Sequence, residues 1–278
     1  MSKTLIIAEK PSVANDIAKA IGGCTKKDDF HENDDFVVAA AVGHLLELIV
    51  PEEHDIKRGK WSFTHLPHIP PHFDLRPIVK SESKLKTLTK LLKRKDISNV
   101  INACDAGREG ELIFRYIMQY TKAKQPSQRL WLQSMTPTAI RDGLAHLRTD
   151  EQMLNLADAA RSRSEADWLV GINGTRAMTA FNSKDGGFFL TTVGRVQTPT
   201  LTVVVEREEA IRAFKSRDYW EVHAEFVCAQ GIYKGRWYDP KFKKDETDPE
   251  RRDSRLWSKI AASTIVMACE GQKGTVTE

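Results

Sequence analysis

The sequence predicts an α/β fold: a central, mostly parallel sheet with its helices, then a long helical segment, then the start of a β-rich region. Three observations predict it. Two short apolar runs, Leu5-Ile6-Ile7-Ala8 and Val100-Ile101, each run into an acid, Glu9 and Asp105, and each is followed by a stretch of helical periodicity. Residues 1–150 continue to alternate strand-like and helix-like stretches, as βα units do. Beyond them the period changes twice: Leu154 to Met178 holds a long Ala-rich helical pattern, and after Asp218 the apolar residues recur at every second position.

In chain order, Thr4 to Ala8 is the first strand, and a helix from Val13 to Ile21 follows with Ser12 as its N-cap. Phe36 to Val42 is a strand running into Gly43-His44-Leu45. Residues 61–79 are rich in proline yet carry Trp61, Phe63, Leu66 and Phe73, anchors that a free linker lacks, so the stretch is an ordered loop. Ser83 to Lys95 is a helix with Leu85, Leu88, Leu91 and Leu92 on one face and Lys86, Lys90 and Lys93 on the other. That basic face is open to two readings, a solvated surface or a contact for DNA. After the Val100-Ile101 strand, Leu112, Ile113, Tyr116 and Ile117 mark one side of a helix, Leu130 to Leu132 a strand and Thr136 to Leu147 a helix. Asp185-Gly186-Gly187 breaks the long helical pattern, and Pro199 suits the first turn of a helix reaching Phe214. Trp220 to Val227 and Gly231 to Tyr238 pair as a hairpin, Lys241 to Arg252 is an exposed loop, Ser254 to Cys269 a helix, and Gly274 to Thr277 the beginning of another strand.

Composition narrows the function classes. The net charge of +4 is mild, so binding to nucleic acid must come from local patches. No apolar run of about 18 residues is present, which argues against a membrane helix, and the N-terminus enters a strand without the regions of a signal peptide. The four cysteines, Cys24, Cys104, Cys228 and Cys269, form no Cys-x-x-Cys and read as free core thiols of a cytoplasmic protein.

The chemistry concentrates in Asp105-Ala106-Gly107-Arg108-Glu109-Gly110-Glu111. Asp105 stands at the carboxyl end of a strand, where open α/β sheets hold their ligands. Crowded carboxylates repel one another, and a divalent cation relieves them; Mg²⁺ needs only one or two carboxylates plus water or phosphate. The competing reading is a solvated helix N-terminus, where Glu109 and Glu111 favour the positive end of the dipole. Glu9 and Lys10 are likewise open between a plain turn and a second part of a metal and phosphate site. His44 is open between that site and a hydrogen-bonded turn. Arg163 and Asp167, four apart, can pair on one helix face.

Thr191-Thr192-Val193-Gly194-Arg195-Val196-Gln197-Thr198-Pro199 resembles the Gly-Arg-Val-Gln-Thr-Pro signature of type IA DNA topoisomerases. Glu9-Lys10-Pro11-Ser12, Gly43-His44-Leu45 and the segment from Asp105 to Glu111 match the same family in the same order, the last in the manner of its Toprim metal motif and in the form of bacterial topoisomerase III. The resemblance runs from residue 1 to about 215 and thins out beyond. It implies a Toprim metal-binding domain at 1–150, a helical DNA-binding segment at 151–215 and the start of a β-rich arch at 216–278. It implies an isomerase that cuts one DNA strand by transesterification, passes another and reseals, with Mg²⁺ and no nucleotide cofactor, acting on single-stranded segments and with a helicase as partner. By the same resemblance Glu9 and Lys10 are catalytic; Glu9, Asp105 and Glu109 hold the metal, with Glu111 a weaker candidate; and Arg163, Asp167, Thr192, Val193, Gly194, Arg195, Val196 and Gln197 bind DNA.

Two departures matter. Where the Toprim motif carries a middle acid this sequence has Gly107, which favours one tightly held ion over two. The family's nucleophile is a tyrosine in a Tyr-Pro-Arg-Thr-like segment, and none of the five tyrosines here precedes Pro-Arg. The expectation is a chain without its nucleophile, inactive by itself. The alternative is a truncated fragment that binds DNA and metal without catalysing anything. A different Toprim enzyme, a primase or nuclease, is disfavoured by the Gly194 to Pro199 signature.

Overall fold

The computed structural model describes residues 2–50, 61–248 and 250–275. Strand β1 (Lys3–Ala8) is the centre of a seven-stranded sheet. On one side it pairs in parallel with β4 (Phe36–Ala40), beyond which β3 (Phe30–Glu32) and β2 (Thr25–Lys26) add antiparallel. On the other side it pairs in parallel with β7 (Ile97–Ala103), followed by parallel β8 (Ser127–Arg129) and antiparallel β9 (Arg148–Thr149). The mostly parallel α/β sheet is the one the sequence predicts. A short antiparallel pair, β5 (Leu46–Leu48) with β6 (Leu75–Pro77), lies outside it.

Side-chain alternation along β1 splits the core into two layers. Leu5 and Ile7 face a layer built with α2 (Glu82–Leu92) and α3 (Arg108–Thr121). Ile6 and Ala8 face another, built with α1 (Pro11–Ile21) and α4 (Pro137–Ala145). The helix after β1 therefore covers one face and the helix after β7 the other. Neighbouring strands that send their helices to opposite faces leave a crevice at their carboxyl ends, and here that crevice opens beside Glu9 and Asp105.

The long helix α5 (Asp150–Asn182) starts from a full capping box, Thr149 with Gln152, and packs on α3. It also fixes the proline-rich stretch, as the aromatic anchors imply. Asn173 exchanges hydrogen bonds with the His68 backbone at 2.6 and 2.9 Å, and the Trp168 indole donates to the Ile49 carbonyl. By its contacts the chain divides into one unit, Met1–Thr202, and a second, Val203–Glu278. In the second, β10 (His223–Cys228) and β11 (Gly231–Arg236) form the expected hairpin, and α7 (Lys259–Cys269) follows. Among the described residues no helix is long and apolar enough to cross a membrane.

Several boundaries differ from the sequence reading for physical reasons. Helix α1 begins at Pro11, with Lys10 in the N-cap position, because proline's fixed φ and missing N–H suit a first turn better than a cap at Ser12. The strand expected at Leu130 to Leu132 lies at Ser127–Arg129, since Arg129 is buried and Leu130 turns into the core. Helix α7 starts only after Ser258, whose hydroxyl accepts from the Ala261 N–H. Gly274 and Thr275 carry no strand, and the rest of that expected strand lies outside the described residues. The cysteines are free, but only Cys104 is buried; Cys228 and Cys269 are exposed.

At the opposite, amino-terminal edge of the sheet, Glu32 accepts hydrogen bonds from Arg94 and Lys3, and Arg94 also grips Asp96. Arg94 is the main cause that holds Glu32 at about 2, against an ordinary 4.5, and it holds Asp96 at about 2 as well, against 3.8. Depressed carboxylates stabilise the fold above their unfolded values and lose that contribution as pH falls toward the folded ones. Urea midpoints should therefore drop as the pH falls from about 4.5 to about 2, and Arg94→Met should flatten the drop. An acid profile identical in the two proteins would remove this cluster as its cause.

Candidate active site

The parallel register that pairs Ala8 with Ala103 delivers the next residues of both strands to one edge. Glu9 and Asp105 meet there: the Asp105 backbone N–H donates to Glu9 Oε2 at 3.3 Å. Lys10 closes the group, its Nζ 2.6 Å from Asp105 Oδ2 and 3.9 Å from Glu9 Oε1. The hydrogen bond to Asp105, with the charges of Asp105 and Glu9, holds the Lys10 ammonium above its ordinary value. Two carboxylates and one ammonium leave a net negative, hard-oxygen site open to solvent. Such a donor set suits Mg²⁺, which completes its shell with water or phosphate oxygens.

Close packing fixes Asp105. A Cβ on Gly110 would stand 2.1 Å from the Asp105 carbonyl oxygen and 2.8 Å from its nitrogen, so only glycine lets the first turn of α3 close on that loop. The buried Arg129 donates from Nη2 to the same carbonyl at 2.7 Å. Sequence reading missed both residues. A glycine inside a first helical turn was the available signal for Gly110, whereas a lone arginine beside an apolar run gives none for Arg129.

The acids of α3 diverge. Glu111 is 1% exposed. It is held by Arg115 at 2.8 Å and Asn102 at 3.0 Å, with Arg129 at 3.9 Å. Its oxygens are thus engaged inside the protein, as befits the weaker metal candidate. Glu109 is exposed and lies 3.4 Å from His44 Nε2, which a left-handed turn at Val42 and Gly43 carries there. Among the described residues no three of His, Cys, Asp and Glu gather closely enough to hold a metal: Glu9 and Asp105 come together, and Glu109 does not join them.

A second group lies on α5. Arg195 grips Asp167 with a two-point bond at 2.6 and 3.0 Å. This replaces the expected Arg163–Asp167 pair, because a planar guanidinium fork outcompetes an in-helix neighbour; Arg163 acts on Asp167 only through its more distant charge. Arg195 is the main cause that lowers Asp167, and Asp167 in turn raises Arg195, with Glu109 adding to the effect. The segment before it lies close on the helix. Val193 N–H donates to Thr175 Oγ1 at 3.0 Å, and a Cβ on Gly174 would meet Val193 at 3.0 Å. Gly194 N–H donates to Thr198 Oγ1, while Thr192, Arg195, Val196 and Gln197 are exposed. Gln197 opens α6 (Gln197–Ala213), two residues before Pro199.

Comparison with known proteins follows this geometry. Residues 4–135 match the Toprim domain model, and residues 151–278 match a model described as DNA topoisomerase. DNA topoisomerase 3 of Bacillus cereus is 38% identical across the whole chain. The chain belongs to the type IA DNA topoisomerases. It spans 36% of that relative's length, and 36% of DNA topoisomerase 3 of Bacillus subtilis, which is 38% identical over 96% of the chain. The full-length topoisomerase I of Thermotoga maritima shares the fold, with a TM-score of 0.57 and 21% identity over 88% of this chain and 36% of that one. The α/β domain described above is the family's Toprim domain.

The five tyrosines lie elsewhere. Tyr116 is buried, donates to Ser164 and is raised by burial. Tyr233 stacks on Phe226, Tyr219 lies against Trp257, and Tyr120 and Tyr238 are exposed. Among the described residues none of them hydrogen-bonds to Glu9, Lys10 or Asp105.

Proposed function

We propose that the chain supplies the metal and phosphate machinery of a type IA topoisomerase that cleaves and rejoins one DNA strand by transesterification. The carrying observation is Lys10 lodged between Glu9 and Asp105 at the shared edge of β1 and β7. Glu9 and Asp105 would hold Mg²⁺, with Glu109 joining by rotation of its exposed side chain. When bound, the ion supplies charge neutralisation for the scissile phosphate and the oxygen that leaves it. Lys10 stabilises charge developing on that phosphate, and Glu9 holds or moves the proton that the chemistry exchanges. Phosphoryl transfer asks mainly for positioning and charge stabilisation, and these residues provide both.

Arg163, Asp167 and Thr192 to Gln197 line the DNA contact in this reading. Arg195 offers its fork to a backbone phosphate, beside the N-terminus of α6, where anions are favoured. The names of the relatives support DNA as substrate. Single-stranded segments as the preferred ligand, a helicase as partner and the cytoplasm as the place of work follow from the same family reading.

The test is the affinity for a single-stranded oligonucleotide across a salt series. Removing one phosphate-binding side chain should lower the slope of log K against log salt by about 0.7. Arg195→Ala and Lys10→Ala should each weaken binding in this way at an unchanged circular dichroism spectrum. Unchanged slopes in both variants would make the two groups structural.

A further inference from the structure

We propose that the second unit, Val203–Glu278, is a docking surface for the polypeptide that forms the remaining length of topoisomerase 3. The inference rests on family membership and not on the handling of DNA or Mg²⁺. Among the described residues of this unit only Ser254 and Ala262 are buried. In α6, Val203, Val204, Val205 and Ile211 are all exposed. Apolar residues at three consecutive helical positions occupy more than one face, the pattern of a helix enclosed in a core. The hairpin repeats the pattern. Val227 and Ile232 stand opposite each other in register and are both exposed, while Phe226 and Tyr233 stack at 4.9 Å. In α7, Ile260 is 79% exposed.

A two-stranded hairpin is marginal without a third layer, and apolar exposure on this scale marks an interaction surface. The length of the relatives identifies the occupant. They align with the whole chain at 38–41% identity and yet are covered only to 36%. The model described as DNA topoisomerase takes in all of this unit, so its apolar residues belong to a domain that the relatives carry on well beyond it.

The experiment co-expresses the 278-residue chain with the remaining region of the Bacillus cereus relative, and a second arm fuses the two in one polypeptide. A one-to-one complex by light scattering is expected. Val204→Lys with Val227→Lys should leave the isolated chain's circular dichroism unchanged, since both side chains are exposed there, yet weaken docking about tenfold or more. In the fusion, amide exchange of α6 and the hairpin should slow relative to the isolated chain, and the same two substitutions should reverse the slowing. Absence of a complex together with unslowed exchange would overturn the proposal. So would a complex indifferent to the substitutions, or a dimer of the isolated chain that they dissociate, which would assign the surface to a second copy. No arm contains DNA or metal, so a failure here leaves the reading of the active site standing.

Discussion

Glu111→Ala is expected to destabilise the Toprim domain by about 3–5 kcal/mol, the cost of breaking a buried ion pair by removing one partner. Both Glu111 and Arg129 are 1% exposed. Burial pulls Arg129 below its ordinary value, and the charge of Glu111 is the largest influence opposing it. Its Nε and Nη1 have no hydrogen-bond partner among the described residues, so the guanidinium has little to compensate for the loss of the carboxylate. Asn102 and Arg115 would lose an acceptor in the same step. Glu111→Gln, which keeps an acceptor for Asn102, should cost less. The double variant Glu111→Leu with Arg129→Met should regain much of the loss, because apolar replacement of both partners removes the desolvation penalty. Urea unfolding reads all three. A loss below about 1 kcal/mol for Glu111→Ala would mean that water or a side-chain shift satisfies Arg129. The arrangement also bears on the site, since Arg129 holds the Asp105 carbonyl at 2.7 Å.

That use of Glu111 marks the border of what the sequence discloses. Strands that end in an acid are legible, because apolar runs and a carboxyl-end charge need only period and position; Glu9 and Asp105 are found in this way, and the parallel register between their strands brings them to one edge. Which acid of a crowded run faces solvent depends on helix phase and on partners far along the chain. Glu109 and Glu111 are two residues apart and point to different surroundings, one beside His44 and the other beside Arg129. The Arg163–Asp167 pair is legible as a spacing, yet the partner of Asp167 comes from Arg195, 28 residues later, through a turn whose direction no periodicity encodes. Gly110 illustrates the same limit. Its sequence context permits glycine, and only the approach of the Asp105 backbone requires it.

The 278-residue chain is expected not to relax negatively supercoiled plasmid, although Glu9, Lys10 and Asp105 stand together. Strand cleavage by this chemistry needs a tyrosine hydroxyl to attack phosphorus and take over its ester bond. Tyr116 is buried with its hydroxyl on Ser164, and none of the other four precedes the Pro-Arg of a nucleophile segment. Charge neutralisation without a nucleophile leaves the barrier to covalent chemistry in place. Fusing the remaining region of the Bacillus cereus relative to this chain should restore relaxation that chelator abolishes, and Asp105→Asn in that fusion should remove it. A gel assay on negatively supercoiled plasmid reads each case. Relaxation by the isolated chain would show that one of its own tyrosines serves. A well-folded fusion that remains inactive would place the fault at Gly107, where the family's middle acid is missing, and would favour a binding role without catalysis. The contrast is sharp because the two outcomes differ in a covalent intermediate, a protein bound to the 5′ end of the cut strand, which denaturing gels detect directly.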